Sequence, residues 1–115
     1  MIFKILSTLL LAAQFLHAGQ SEIRIEFPNG GESLVGGGEV RILWRSSGLS
    51  GDLAILLFRG GEQYSVIAGA VPDRGWFLWK VPPGLPPGGA YRLRICSLRD
   101  LRVNDFSDRD FAIRK

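Results

Sequence analysis

Leu85-Pro86-Pro87-Gly88-Gly89-Ala90-Tyr91-Arg92-Leu93-Arg94-Ile95-Cys96 is the stretch on which the fold turns. Tyr91, Leu93 and Ile95 alternate with Arg92, Arg94 and Cys96, a period of two that places one set on each face of an extended chain. The Pro- and Gly-rich segment before it, Pro82 to Gly89, cannot continue a central strand, because a proline lacks the N–H that a ladder needs. The unit is therefore one short strand entered through a turn.

Working outward, the same unit recurs. Phe77, Trp79 and Val81 oppose Trp76, Leu78 and Lys80 after the turn Pro72-Asp73-Arg74-Gly75, and a weaker run covers Gln63 to Ile67. Leu53 to Phe58 is apolar on both faces and stops at Gly60-Gly61. Val40, Ile42 and Trp44 oppose Glu39, Arg41 and Arg45, and Ile23, Ile25 and Phe27 oppose Glu22, Arg24 and Glu26. Downstream, Phe111 and Ile113 form the last run. About seven short strands bounded by Gly, Pro, Asn and Ser clusters predict an all-β fold: an immunoglobulin-like or fibronectin-III-like antiparallel β-sandwich over residues 22–115. Trp44, Trp79, Tyr91 and Phe111 are its expected core aromatics. Past residue 18 no window carries the apolar stripe of a helix.

The chain has 115 residues, room for one domain, and a formal charge of +3, which drops by one without Lys4. So small a surplus excludes nucleic acid as the expected partner. Residues 1–18 read as a secretory signal: Lys4, then an apolar run from Ile5 to Leu16, then Ala18 and Gly19. That run is about 12 residues, against roughly 20 for a spanning helix, so no transmembrane span is expected after cleavage. The expected location is secreted, or extracytoplasmic at the cell surface.

His17 is the single histidine and falls within this leader. Without it, Ser/His/Asp and Cys/His catalysis and His-based metal sites have no imidazole. The glycine clusters lack the Lys-Ser/Thr of a phosphate loop, and Asp100, Asp105, Asp108 and Asp110 fit no calcium-loop spacing. The expectation is a non-enzyme with no cofactor, no metal and no catalytic residue. Cys96, the single cysteine, permits no disulfide within the chain and falls on the face of Arg92 and Arg94, away from the main core.

Four stretches go beyond a generic sandwich. Pro28-Asn29-Gly30-Gly31-Glu32, Ile42-Leu43-Trp44-Arg45-Ser46-Ser47-Gly48, Trp79-Lys80-Val81-Pro82 and Asp105-Phe106-Ser107-Asp108 come in an order that resembles the family of the N-terminal domain of yeast cell-wall glucan-assembly proteins. That family is also described as Ser/Thr-rich and GPI-anchored. The resemblance implies a secreted immunoglobulin-like module of the cell surface or wall. Leu85 to Arg94 is also similar to the corner before the sixth strand of fibronectin-III domains, where Tyr91 would be the corner tyrosine bonding back to the loop.

Apolar residues at outward positions remain. Leu56 and Phe58 fall opposite the inward set of their strand, on the sheet that carries Arg92 and Arg94, while Trp76 and Leu78 fall opposite Phe77 and Trp79. Exposed apolar patches mark contacts. Leu56, Phe58, Trp76, Leu78, Arg92 and Arg94 are therefore the expected interaction face, for a protein partner or self-association in an envelope or cell-wall assembly. The alternative is a carbohydrate-binding module for cell-wall glycan, with Trp76 as a stacking platform.

Overall fold

The computed structural model describes residues 20–115, so the leader expected at 1–18 lies outside the described residues. Each alternating run becomes a strand, and two very short ones join them. In chain order these are β1 (Glu22–Phe27), β2 (Ser33–Val35), β3 (Glu39–Ser47), β4 (Leu53–Arg59), β5 (Glu62–Val71), β6 (Trp76–Lys80), β7 (Gly88–Ser97), β8 (Asn104–Phe106) and β9 (Phe111–Arg114). No helix occurs among the described residues, so none there is long and apolar enough to cross a membrane. The expected count of about seven is thus corrected to nine: β2 and β8 have three residues each, too few for an alternating pattern to register.

Two sheets result, an arrangement compatible with a sandwich. One runs β1-β3-β6, and the other runs β2-β9-β7-β4-β5, with β8 pairing along β7 beside β9. The pairings are antiparallel except β2 with β9, which is parallel. β4 and β5 form a hairpin whose turn, Gly60-Gly61, has φ of 60° and 83°. Both positions are left-handed, which is where glycine carries no steric penalty and where a two-residue hairpin loop follows the strand twist.

The core forms where the inward sets meet. Ile23, Ile25, Ile42, Trp44, Trp79 and Val81 from the smaller sheet pack against Leu53, Ile55, Leu57, Leu93, Ile95, Phe111 and Ile113 from the larger. Trp44, Trp79, Tyr91 and Phe111 are all buried, and the Tyr91 and Phe111 rings stack at 6.1 Å between centroids. The Tyr91 hydroxyl donates to the Pro86 carbonyl, closing the corner that leads into β7.

One flank of the two sheets is fastened by hydrogen bonds. Ser107 Oγ accepts from Leu93 N at 3.0 Å and donates to Pro28 O at 3.0 Å. Asp105 Oδ2 accepts from the β1 backbone at Ile25 N, 2.8 Å away. The Asn29–Glu32 turn is held by Glu32, whose carboxylate oxygens accept from Asn29 N and Gly30 N. Gly30 stands at φ 144°, and a Cβ there would lie 2.6 Å from that of Arg109, so the turn and the segment before β9 touch only because residue 30 has no side chain.

Candidate functional site

The expected interaction residues do not form one surface. Phe58, Arg92 and Arg94 lie on the outer face of the larger sheet, where Phe58 pairs with Arg92 and Leu56 with Arg94 across the β4–β7 ladder. Trp76 and Leu78 lie on the outer face of the smaller sheet, pairing with Leu43 and Arg41 of β3. The core separates the two groups.

The expected exposure of Leu56 is corrected: it is 9% exposed and buried. Its cross-strand neighbour Arg94 extends its guanidinium to Leu101 O at 3.2 Å and Asn104 Oδ1 at 3.2 Å, drawing the turn between β7 and β8 over this end of the face. Cys96 is covered in the same way. It takes an outward register position opposite Ala54, yet it is only 3% exposed. Phe58 is half-buried against Phe106 of β8, ring edge to face at 5.0 Å.

The arginines of this region are already engaged. Arg92 meets Asp110 at 2.7 Å and Arg102 meets Asp100 at 3.0 Å. The Arg102 side chain and backbone hold the Asp100 carboxyl below the usual carboxylate range. All four carboxylates considered for a cation are committed: Asp100 and Asp110 to arginine, Asp105 to Ile25 N, and Asp108 to Asn29. Among the described residues no group of three His, Cys, Asp or Glu side chains is placed to hold a metal ion.

The four quoted stretches turn out to be fasteners. Asn29 and Asp108 bond reciprocally, Ser107 ties Pro28 to Leu93, and Arg109 N donates to Asn29 O at 3.0 Å. Trp44 Nε1 donates to Asp73 Oδ1 at 2.8 Å and Ser46 Oγ donates to the other Asp73 oxygen, which fixes the turn into β6. Val81 bonds Gly37 and Gly38 on leaving β6. These residues position surfaces and leave their polar groups little to offer a ligand.

The surface left open is the opposite flank, where β5 and β6 are the edge strands of their sheets. A groove of about 360 Å³ runs between them, floored by Leu57 and walled by Val66, Ile67, Phe77, Leu78 and Trp79. Val66 and Leu78 are exposed at its rims, Trp76 and Leu43 are exposed as a cross-strand pair on the smaller sheet, and Tyr64 is exposed by a separate pocket near the β4–β5 turn. Val66, at 55%, is among the most exposed large apolar side chains described.

Cations surround this flank. The Arg74 guanidinium lies 4.1 Å and that of Arg41 lies 4.9 Å from the Trp76 ring centre, and neither forms an ion pair with a described carboxylate. A cation over an indole is attractive, so the ring is stacked on by arginine rather than offered bare to a sugar.

Leu43, Tyr64, Val66, Arg41 and Arg74 did not enter the sequence-based face. Tyr64 and Val66 alternate with Gln63 and Ser65, which is a readable signal, but nothing local says that their strand ends a sheet. Compared with family models, curated proteins and solved structures, the chain matches none.

Proposed function

We propose that the chain is a secreted or cell-surface, non-catalytic interaction module that docks a protein partner, or a neighbour in an envelope or cell-wall assembly, along the β5–β6 flank. The observation that carries this reading is the largely apolar groove between the edge strands β5 and β6, walled by Val66, Ile67, Phe77, Leu78 and Trp79, with Val66 and Leu78 exposed at its rims. Contiguous apolar surface bordered by polar groups is what protein contacts cover.

The finer readings belong to the same proposal. An immunoglobulin-like or fibronectin-III-like type is supported by two sheets over a common core and by the Tyr91 corner bond to Pro86. Export through residues 1–18, surface location and kinship with the cell-wall glucan-assembly family rest on the sequence stretches already quoted. Glycan binding is the weaker alternative, because Trp76 carries guanidinium groups where a sugar would stack.

The test is site-specific photo-crosslinking in the cells that make the protein. A photoreactive residue at Val66 is expected to yield a discrete protein adduct, and one at Arg102, on the far side, is expected to yield none. The same labelling at both positions, or none at Val66, would overturn the docking role of the flank.

A further inference from the structure

We infer that the partner at this flank is a second copy of the chain, added through the free edge of β6 about a two-fold axis at Leu78. The inference rests on the flank being a docking surface and names what docks there.

The β3–β6 ladder fixes which backbone groups are free. Trp44 N donates to Gly75 O and Val81 N donates to Gly38 O, and both pairs belong to the register in which Ile42 faces Phe77 and Val40 faces Trp79. In an antiparallel pair, bonded and non-bonded positions alternate. Phe77 and Trp79 therefore direct their N–H and C=O groups at β3, and Trp76, Leu78 and Lys80 direct theirs outward. Among the described residues no other strand pairs with β6, so this row is open there.

An open row accepts another strand, and β6 itself fits it. Antiparallel pairing centred on Leu78 sets Leu78 against Leu78 and Trp76 against Lys80 of the second copy. Every outward N–H then meets an outward C=O. Two leucines pack at the axis and Arg74 falls opposite Pro82, while Lys80 comes beside a Trp76 ring already flanked by Arg41 and Arg74, so the pairing is expected to tighten with salt. On the inner side Phe77 falls opposite Trp79.

The other edge of the smaller sheet explains why pairing stops at two copies. Ile25 N of β1 already bonds Asp105 Oδ2, and β8 packs along that side. Edge strands of soluble proteins are shielded by such devices, and the shield on β6 is light, the single charge of Lys80 at its end. A two-fold contact uses the same edge on both copies and so closes on itself.

The test uses sedimentation velocity on the purified full chain over a concentration series, with L78K and L78E. Leu78 is 44% exposed and its backbone bonds do not face β3, so both variants are expected to match the melting temperature of the parent at concentrations where the parent is monomeric. The parent is expected to dimerise. Each variant alone sets like charges on the axis and is expected to weaken dimerisation on the order of a hundredfold, and an equal mixture is expected to recover it.

A parent that stays monomeric, an L78K that still dimerises, or a mixture that fails to recover would each overturn the inference. Association driven by residues 1–18 would persist in L78K and also count against it. A monomeric parent that still gives a Val66 adduct with another protein would overturn the second copy while leaving the docking flank standing.

Discussion

Asn29 and Asp108, 79 positions apart in sequence, bond each other twice: Asn29 Nδ2 donates to Asp108 Oδ2 at 2.9 Å, and Asp108 N donates to Asn29 Oδ1 at 2.8 Å. The pair joins the turn after β1 to the segment before β9. Asn29→Ala removes both bonds at a partly solvated site, so the expected loss is about 1–2 kcal/mol of unfolding free energy, read from urea titration. A change within error would show that the neighbouring bonds hold the junction alone.

Ser107→Ala should cost more than its size suggests. Ser107 is 1% exposed, and its hydroxyl is the acceptor for the buried Leu93 N–H as well as the donor to Pro28 O. Stranding a buried N–H costs the desolvation of that group, so the expected loss is about 2–3 kcal/mol. Hydrogen exchange at Leu93 should accelerate together with the global loss, and unchanged protection would refute the role assigned to this hydroxyl.

Burial pushes the Tyr91 phenol above its ordinary value, against the opposing pull of Arg59. Folded Tyr91 therefore keeps its proton to higher pH than the unfolded chain does. The stability this represents is fully present below about pH 10 and is lost as pH rises through the folded value. Tyr91→Phe is expected to lower stability by about 1 kcal/mol at neutral pH, through the lost bond to Pro86, and to flatten the alkaline decline. Parallel stability–pH curves for the two proteins would contradict this.

Asp100 gives the opposite sign at the acid end. Its carboxyl is held low by Arg102, so its contribution is present above the unfolded value of about 3.9 and fades as pH falls through the folded one. Both side chains are solvated, and the effect should be confined to the β7–β8 turn. Carbon-13 titration should place Asp100 below an ordinary aspartate, and Arg102→Gln should return it to the ordinary range.

Cys96 should behave as a sheltered thiol. At 3% exposure, under the turn that Arg94 draws in, it is expected to react with a maleimide at least about a hundredfold more slowly than in urea, at a rate set by opening of that turn. Arg94→Ala should speed the reaction without comparable loss of global stability. Rapid labelling of the folded parent would place the thiol at the surface.

The inward aromatics were legible because period-two alternation is a local property: Trp44, Trp79, Tyr91 and Phe111 each sit in a run that announces its buried side. The burial of Leu56 was not, since it depends on Arg94 reaching a carbonyl in a turn that reads as ordinary polar loop. β2 and β8 were too short to show a period. The open flank was hidden for a different reason. Trp76 and Leu78 read as outward on their own strand and the Gln63 to Ile67 run as a weak strand with no face assigned, but sheet order alone makes β5 and β6 edges facing a common groove. The quoted stretches were visible as sequence, and only their spatial pairing shows that Pro28 to Glu32 and Asp105 to Asp108 fasten one flank while Trp44, Ser46 and Val81 hold the two ends of β6.

The cap on Ile25 N comes from a residue 80 positions later. Until Asp105 is available, β1 presents its edge as openly as β6 does, so a growing or incompletely folded chain has both ends of its smaller sheet able to add strands. With two acceptor edges it can polymerise; with one it can only pair. Delivery of Asp105 to Ile25 N is thus the step at which, on the pairing inferred above, the smaller sheet passes from two open edges to one.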